Sequence, residues 1–503
     1  MHDVVSAIAE QVGRRPAAPA LRIGDQGFTY AELWARAGEV AGWLGPGPGR
    51  VGLRFAKDFP TYAAYLGILR AGGAVLPIST RWPQSRVTDI LREAAPALVL
   101  VDGPSSGSSS RPSAGLGTAG GTRHQPLTDL IGAGARGGVG ARVPDSPAAA
   151  DEAYLLYTSG STGKPKGVPV THGALARYLT HVVELYELGP GCRMAQAADL
   201  TFDASVFEML SAWASGATAV VAARRAWLSP VRFLREYGIT HLDTVPSVIT
   251  LARRTRSLTP GSLPELRWSM FGGEQLTYDA VSAWREAAPG SVIENNYGPT
   301  ELTGVCANHR LPRDPADWVP TANGTVPIGR VYPHLESVVL GADGTAADEG
   351  ELCVRGAQRF SGYVDPADNA GRFLRGGPPW TSVTGAPEPG DWYRTGDRVR
   401  QEHGLLVHRG RIDRQVKLRG YRVELDEVEA ALRSHPAVRE AAVLVADAQL
   451  VAVYVADGLP SADLRKHAAT LLPDYMVPVT WRSMDSLPLN QNGKLDRAVL
   501  EGR

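Results

Sequence analysis

The sequence predicts an α/β protein: a large N-terminal domain of layered sheets and helices, followed by a small α+β C-terminal domain. Three observations predict this. The chain has 503 residues, too many for one ordinary hydrophobic core. From Tyr154 onward, β-rich apolar runs alternate with helical patterns, the rhythm of stacked α/β layers. After Gly410 the pattern changes, and the remainder reads as a compact unit of about ninety residues, within the usual domain range. The expected division is residues 1–412 and 413–503.

Taken in order, Val4 to Val12 is a short helical lead. Gly103 to Gly121 and Gly132 to Ala150 are rich in Gly, Ser, Ala and Pro, bury little surface, and read as mobile surface loops. Tyr154 to Tyr157 suits a buried strand, as do Ala217 to Ala222 and Thr240 to Val245, while Pro230 to Tyr237 and Tyr278 to Ala287 carry helical patterns. In the last unit, RIDRQVKLRGYRVELDEVEAAL passes from strand-like alternation to a helix with Val428, Ala431 and Leu432 on one face. An expected hairpin (Ala441 to Ala446, Leu450 to Val455) and a helix opened by Ser461 complete it.

Composition narrows the function. Lys plus Arg equals Asp plus Glu at 52 each, so no global field draws in nucleic acid or an anionic membrane, and any anion site is local. Cys192, Cys306 and Cys353 have neither CxxC spacing nor the density of a disulfide framework. No apolar stretch reaches transmembrane length and no secretory signal is visible, so a cytoplasmic protein is expected.

The local anion site is the segment YTSGSTGKPKG, residues 157–167. Gly160, Gly163 and Gly167 let backbone N–H groups converge on phosphate oxygens; Thr158, Ser159, Ser161 and Thr162 add donors; Lys164 and Lys166 supply charge. Lys164 is followed by Pro165, so the Walker spacing of ordinary P-loop enzymes is absent.

With that loop, the segments LRAGGAVLPI (69–78), FDASVFEM (202–209), NNYGPTE (295–301), GELCVRG (350–356), YRTGD (393–397), GRIDRQVKLRGYRVEL (410–425), LPDYMVP (472–478) and NQNGKLDR (490–497) stand in one order. Together they resemble the adenylate-forming superfamily of acyl- and aryl-CoA ligases and luciferases, and more closely the amino-acid adenylation enzymes of nonribosomal peptide synthesis. The resemblance implies ATP and Mg²⁺, formation of an aminoacyl adenylate with release of pyrophosphate, and transfer to the phosphopantetheine thiol of a carrier protein in natural-product (antibiotic) biosynthesis. Only Ala498 to Arg503 follow the last motif, which leads us to expect a stand-alone enzyme meeting its carrier in trans. Positioning and charge neutralisation do most of the work in such chemistry.

The resemblance also implies roles. Lys494 matches the lysine that reaches the substrate carboxylate and phosphate oxygens, Glu301 the Mg²⁺ ligand, and Thr300 an α-phosphate contact. The phosphate loop would supply Thr158, Ser159, Gly160, Ser161, Thr162, Gly163 and Lys166; Tyr297 would meet adenine, and Asp397 with Arg411 the ribose. Asp413 matches the hinge about which the small domain turns, presenting Lys417 in its second pose. Asp203 would pair with the substrate α-ammonium, marking amino acids among carboxylates. Ala204, Phe207, Asp243, Met270, Gly272, Asn296, Gly304 and Val305 would line the side-chain pocket. Mostly apolar or small, they suggest a small to medium neutral aliphatic amino acid; Asp243 keeps a basic or hydroxylated substrate open. The rival functions are an acyl- or aryl-CoA ligase, which has no need of Asp203, and a binding scaffold without turnover.

Overall fold

The computed structural model describes residues 3–102, 123–127, 130, 147–160, 164–223, 226–488, 495 and 497–500. The expected loop Gly103 to Gly121 and most of Gly132 to Ala150 lie outside them. Among the described residues no helix is long and apolar enough to cross a membrane.

The N-terminal part contains two sheets whose central strands are parallel. In the first, strands run in the order Arg123–Pro126, Leu98–Val101, Arg50–Phe55, Ala74–Ser79, Glu152–Thr158 and Lys166–Thr171. Ala74–Ser79 is buried at every position, as a strand covered on both faces must be, which is why it reads as a continuous apolar run. The second sheet has nine strands, with Arg193–Gln196, His241–Thr244, Trp268–Gly272 and Val292–Tyr297 at its centre. Helices cover the sheets, and their starts are written locally. Thr29 and Glu32 form a capping box at Tyr30–Leu44, and the Thr277 hydroxyl accepts the Ala280 N–H at 3.3 Å ahead of Tyr278–Ala287. A third sheet, antiparallel and six-stranded, spans Leu335 to Arg411.

Beyond it lie the hairpin Gln415–Leu418/Tyr421–Glu424, the helix Leu425–Arg433, the hairpin Val438–Ala446/Gln449–Ala456 and the helix Ser461–Leu471. Val428, Ala431 and Leu432 pack into a separate core with Val443, Tyr454 and Leu464, the face that their spacing predicts. The other expected elements are present with ends displaced by a few residues: Val4–Arg14, Thr218–Val221, Pro230–Glu236 and His241–Thr244.

His241 shows how the central sheet is tied together. Its Nε2 lies 2.9 Å from the Tyr186 carbonyl and its Nδ1 2.8 Å from the Thr240 hydroxyl. The carbonyl only accepts, so Nε2 carries the proton and the neutral ring is fully satisfied. Burial pushes its pKa down to about 4 from 6.5. The folded form therefore binds fewer protons than the unfolded chain, and the contribution is complete above pH 6.5 and lost as pH falls toward 4. Urea titrations at pH 7, 5.5 and 4.5 are expected to show stability falling by up to about 1.4 kcal/mol per pH unit from this group, a component that His241→Gln removes.

Candidate active site

The second sheet, the phosphate-loop strand and the first hairpin of the small domain meet in one cleft. Strand Val292–Tyr297 leads through Pro299 into the turn Thr300–Leu302, which places Glu301 at full burial. Thr303 and Gly304 follow at φ 59° and 86°, left-handed backbone that reverses the chain, and a Cβ on Gly304 would stand 3.4 Å from the Tyr178 hydroxyl. Glu301 accepts from the Arg422 guanidinium at 2.8 and 3.0 Å and from the Tyr363 hydroxyl at 2.7 Å. Burial alone would raise its pKa; Arg422 and the hydrogen bonds outweigh it and hold the carboxyl at about 2.

Asp397 is the second buried acid. It accepts from the Tyr297 hydroxyl at 2.7 Å, His408 Nε2 at 3.0 Å and Arg411 at 3.0 Å. Against burial, His408, Arg411 and Lys417 hold it well below the usual carboxylate range. Arg411 also grips Asp413 with two bonds, at 2.6 and 2.7 Å, so the expected ribose pair and the expected hinge share one guanidinium.

Asp203 opens a helical segment that widens into a π-helical turn, Phe207–Ser211, beside the pocket; such turns concentrate at functional sites. Its Oδ1 accepts the Ala204 N–H at 2.8 Å. Burial raises its pKa, opposed by the Thr300 side chain and by Lys417. Lys417, on the first strand of the small domain, is half-buried with its ammonium 5.8 Å from the centre of the Tyr297 ring. Burial lowers its pKa while Asp397 and Asp203 both raise it. One cation thus stands in the field of both acids.

Several of the residues expected to line the side-chain pocket can be placed. Phe207 and Met270 are buried, and the Phe207 ring lies 6.2 Å from Tyr178 and 5.7 Å from Tyr186. The Asn296 amide is 3.0 Å from the Tyr186 hydroxyl. Asp243 lies in the strand His241–Thr244, in register with Met270, as Gly272 is with Asn296. Burial, with Glu208 and Asp203 near it, pushes the Asp243 carboxyl well up.

A Cβ on Gly160 would stand 1.8 Å from the Lys164 carbonyl, so only glycine permits this turn. Ser159 donates to the Arg422 carbonyl at 3.0 Å, and the Thr158 hydroxyl is buried without a hydrogen-bond partner among the described residues. Lys166 is paired with Asp368 at 2.9 Å, its ammonium 5.5 Å from the centre of the Tyr363 ring. Ser161, Thr162, Gly163 and Lys494 lie outside the described residues. The sequence reading gave no role to Arg422, Tyr363 or His408; Arg422 sits inside a quoted motif, whereas nothing local marks Tyr363 or His408.

Residues 8–364 match the family described as AMP-binding enzyme, and residues 427–494 match the AMP-binding enzyme C-terminal domain. The chain belongs to the AMP-binding enzyme family. This AMP-binding enzyme is 36% identical over 513 residues to the L-proline--[L-prolyl-carrier protein] ligase of Streptomyces coelicolor, covering 94% of this chain and 92% of that one. It is 33% identical to tyrocidine synthase 3 of Brevibacillus parabrevis, of which it spans only 8%. Its fold matches the Vibrio cholerae adenylation domain AlmE, solved with glycyl-adenosine-5'-phosphate, at TM-score 0.81 and 25% identity over 100% of this chain and 98% of that one.

Proposed function

We propose that this enzyme joins an amino acid to AMP at the expense of ATP, releasing pyrophosphate, and then passes the aminoacyl group to the phosphopantetheine thiol of a separate carrier protein. The observation that carries the reading is the convergence of Asp203, Glu301 and Asp397 on one cleft beside the phosphate loop. A half-buried acid such as Asp203 is a poor host for a fatty or aryl acid and a good one for an α-ammonium. Tyr297, Asp397 and Arg411 would hold the nucleoside, a carboxylate being able to accept from both ribose hydroxyls.

Glu301 fits a divalent cation: it is a hard oxygen donor, kept ionised, and already holds a cation in the form of Arg422. When bound there, Mg²⁺ would neutralise phosphate charge, as it does with one or two carboxylates plus phosphates. We read the arrangement described here, with Lys417 facing the cleft, as the transfer pose, reached by turning about Asp413 after Lys494 withdraws. A crevice of about 280 Å³ between the two domains, lined by Trp82, Phe202, Arg419 and Tyr475, would admit the thiol arm. Three free, buried cysteines suit a reducing cytoplasm.

For the side chain we favour a small to medium neutral aliphatic amino acid. Asp243 fits that choice in its protonated form, which burial and two neighbouring acids favour. A protonated carboxyl and a carboxamide have nearly the same shape, so Asp243→Asn is expected to keep exchange with the preferred amino acid within about threefold. A basic substrate would instead need the charge, and the same variant would then lose about a hundredfold or more. The reading as a whole is tested by ATP/pyrophosphate exchange against amino, fatty and aryl acids: amino acids alone should support it, and exchange driven by fatty or aryl acids would refute it.

A further inference from the structure

Strands Ala74–Ser79 and Glu152–Thr158 are parallel neighbours, so their carboxyl ends open on the same side. The first leads into the helix Gln84–Ala94, which carries Arg86, and the second into the phosphate loop. Crevices at the carboxyl ends of parallel strands are where α/β proteins take ligands. Here a side chain of the small domain fills the crevice. Glu427 Oε1 accepts from Arg86 at 2.6 Å, and its Oε2 accepts the Gly160 N–H at 3.2 Å. Both side chains are almost wholly buried, at 3% and 4% exposure, and Arg86 Nε has no hydrogen-bond partner among the described residues.

Both donors belong to the large domain, and the anion joining them is brought by the small one. When the small domain turns, Glu427 leaves with it, and the Arg86 guanidinium is left without its counter-ion beside a phosphate-loop N–H. A guanidinium set next to a backbone N–H favours another anion in that place. We propose that Arg86 and the Gly160 N–H form an anion site occupied in alternation by the Glu427 carboxylate and by the terminal phosphates of ATP or pyrophosphate. The carboxylate is then an internal stand-in for phosphate, as Arg422 on Glu301 is a stand-in for a cation. The inference rests on the activation reading above and gives Arg86 a binding role in the first half-reaction and Glu427 a competing one.

The test compares Arg86→Gln, Arg86→Lys and Glu427→Gln with the parent in ATP/pyrophosphate exchange, in direct calorimetric binding of pyrophosphate, and in single-turnover transfer from preformed aminoacyl adenylate. Arg86→Gln is expected to raise the KM for ATP and for pyrophosphate about tenfold or more, the weight of a charge-assisted bond, with the amino-acid KM within twofold. Arg86→Lys should recover part of the loss. Glu427→Gln should act oppositely, lowering the KM for ATP severalfold while slowing transfer, because a competitor and a latch are removed together. Unchanged nucleotide and pyrophosphate constants in Arg86→Gln, a parallel rise in the amino-acid KM, or a raised ATP KM in Glu427→Gln would overturn the proposal. Should the parent show no exchange with any acid, the activation reading falls. The anion site is then judged by calorimetry alone, where about tenfold weaker pyrophosphate binding in Arg86→Gln upholds it and equal binding ends it.

Discussion

Asp203→Ala is expected to lower kcat/KM for the amino acid in pyrophosphate exchange by about a hundredfold or more, with the KM for ATP changed by less than about threefold. Leaving a buried charge without its partner costs about 3–5 kcal/mol, and the incoming α-ammonium would meet nothing at the head of the helical segment where the Ala204 N–H now fixes the carboxylate. Burial raises the Asp203 pKa, and an arriving ammonium would favour its charged form. Asp203→Asn should recover only a small part, because it keeps the shape and loses the charge. An equal fall in affinity for ATP would instead mean that the substitution had damaged the cleft generally.

Arg422→Ala is expected to slow transfer from preformed aminoacyl adenylate to the carrier thiol by about a hundredfold, while exchange stays within about fivefold. In the arrangement described here Arg422 neutralises a fully buried Glu301. Without it, the transfer pose carries an uncompensated carboxylate, with a cost in the same 3–5 kcal/mol range. In the activating pose Glu301 would have a different cation, so that half should be spared. Single-turnover assays of each half measure the split, and equal losses in both would contradict it.

Elements with a strong local period were legible in the sequence. The face formed by Val428, Ala431 and Leu432 and the helix Tyr278–Ala287 are specified by their own spacing and caps. The candidate acids Asp203, Glu301 and Asp397 are marked in the sequence too, because each sits in a distinctive motif. Their partners are not. Arg86 meets Glu427 across 341 residues and Arg422 meets Glu301 across 121, pairings made only by folding and by the position of the small domain. Lys166 illustrates the converse: its place in the loop suggests a phosphate ligand, yet Asp368, carried by a distant turn, holds it at 2.9 Å. Local sequence supplies the charge; the fold decides what it meets.

The central claim is that one cleft serves two half-reactions with a different lysine in each, and the most direct measurement assays both halves in Lys494→Ala and Lys417→Ala. Lys494→Ala should lose amino-acid-dependent exchange by about a hundredfold or more yet still pass a preformed aminoacyl adenylate to the carrier thiol at near the parent rate. Lys417→Ala should keep exchange and lose transfer. If Lys494→Ala exchanges pyrophosphate undiminished, or if both variants lose both halves alike, the two-pose account is contradicted.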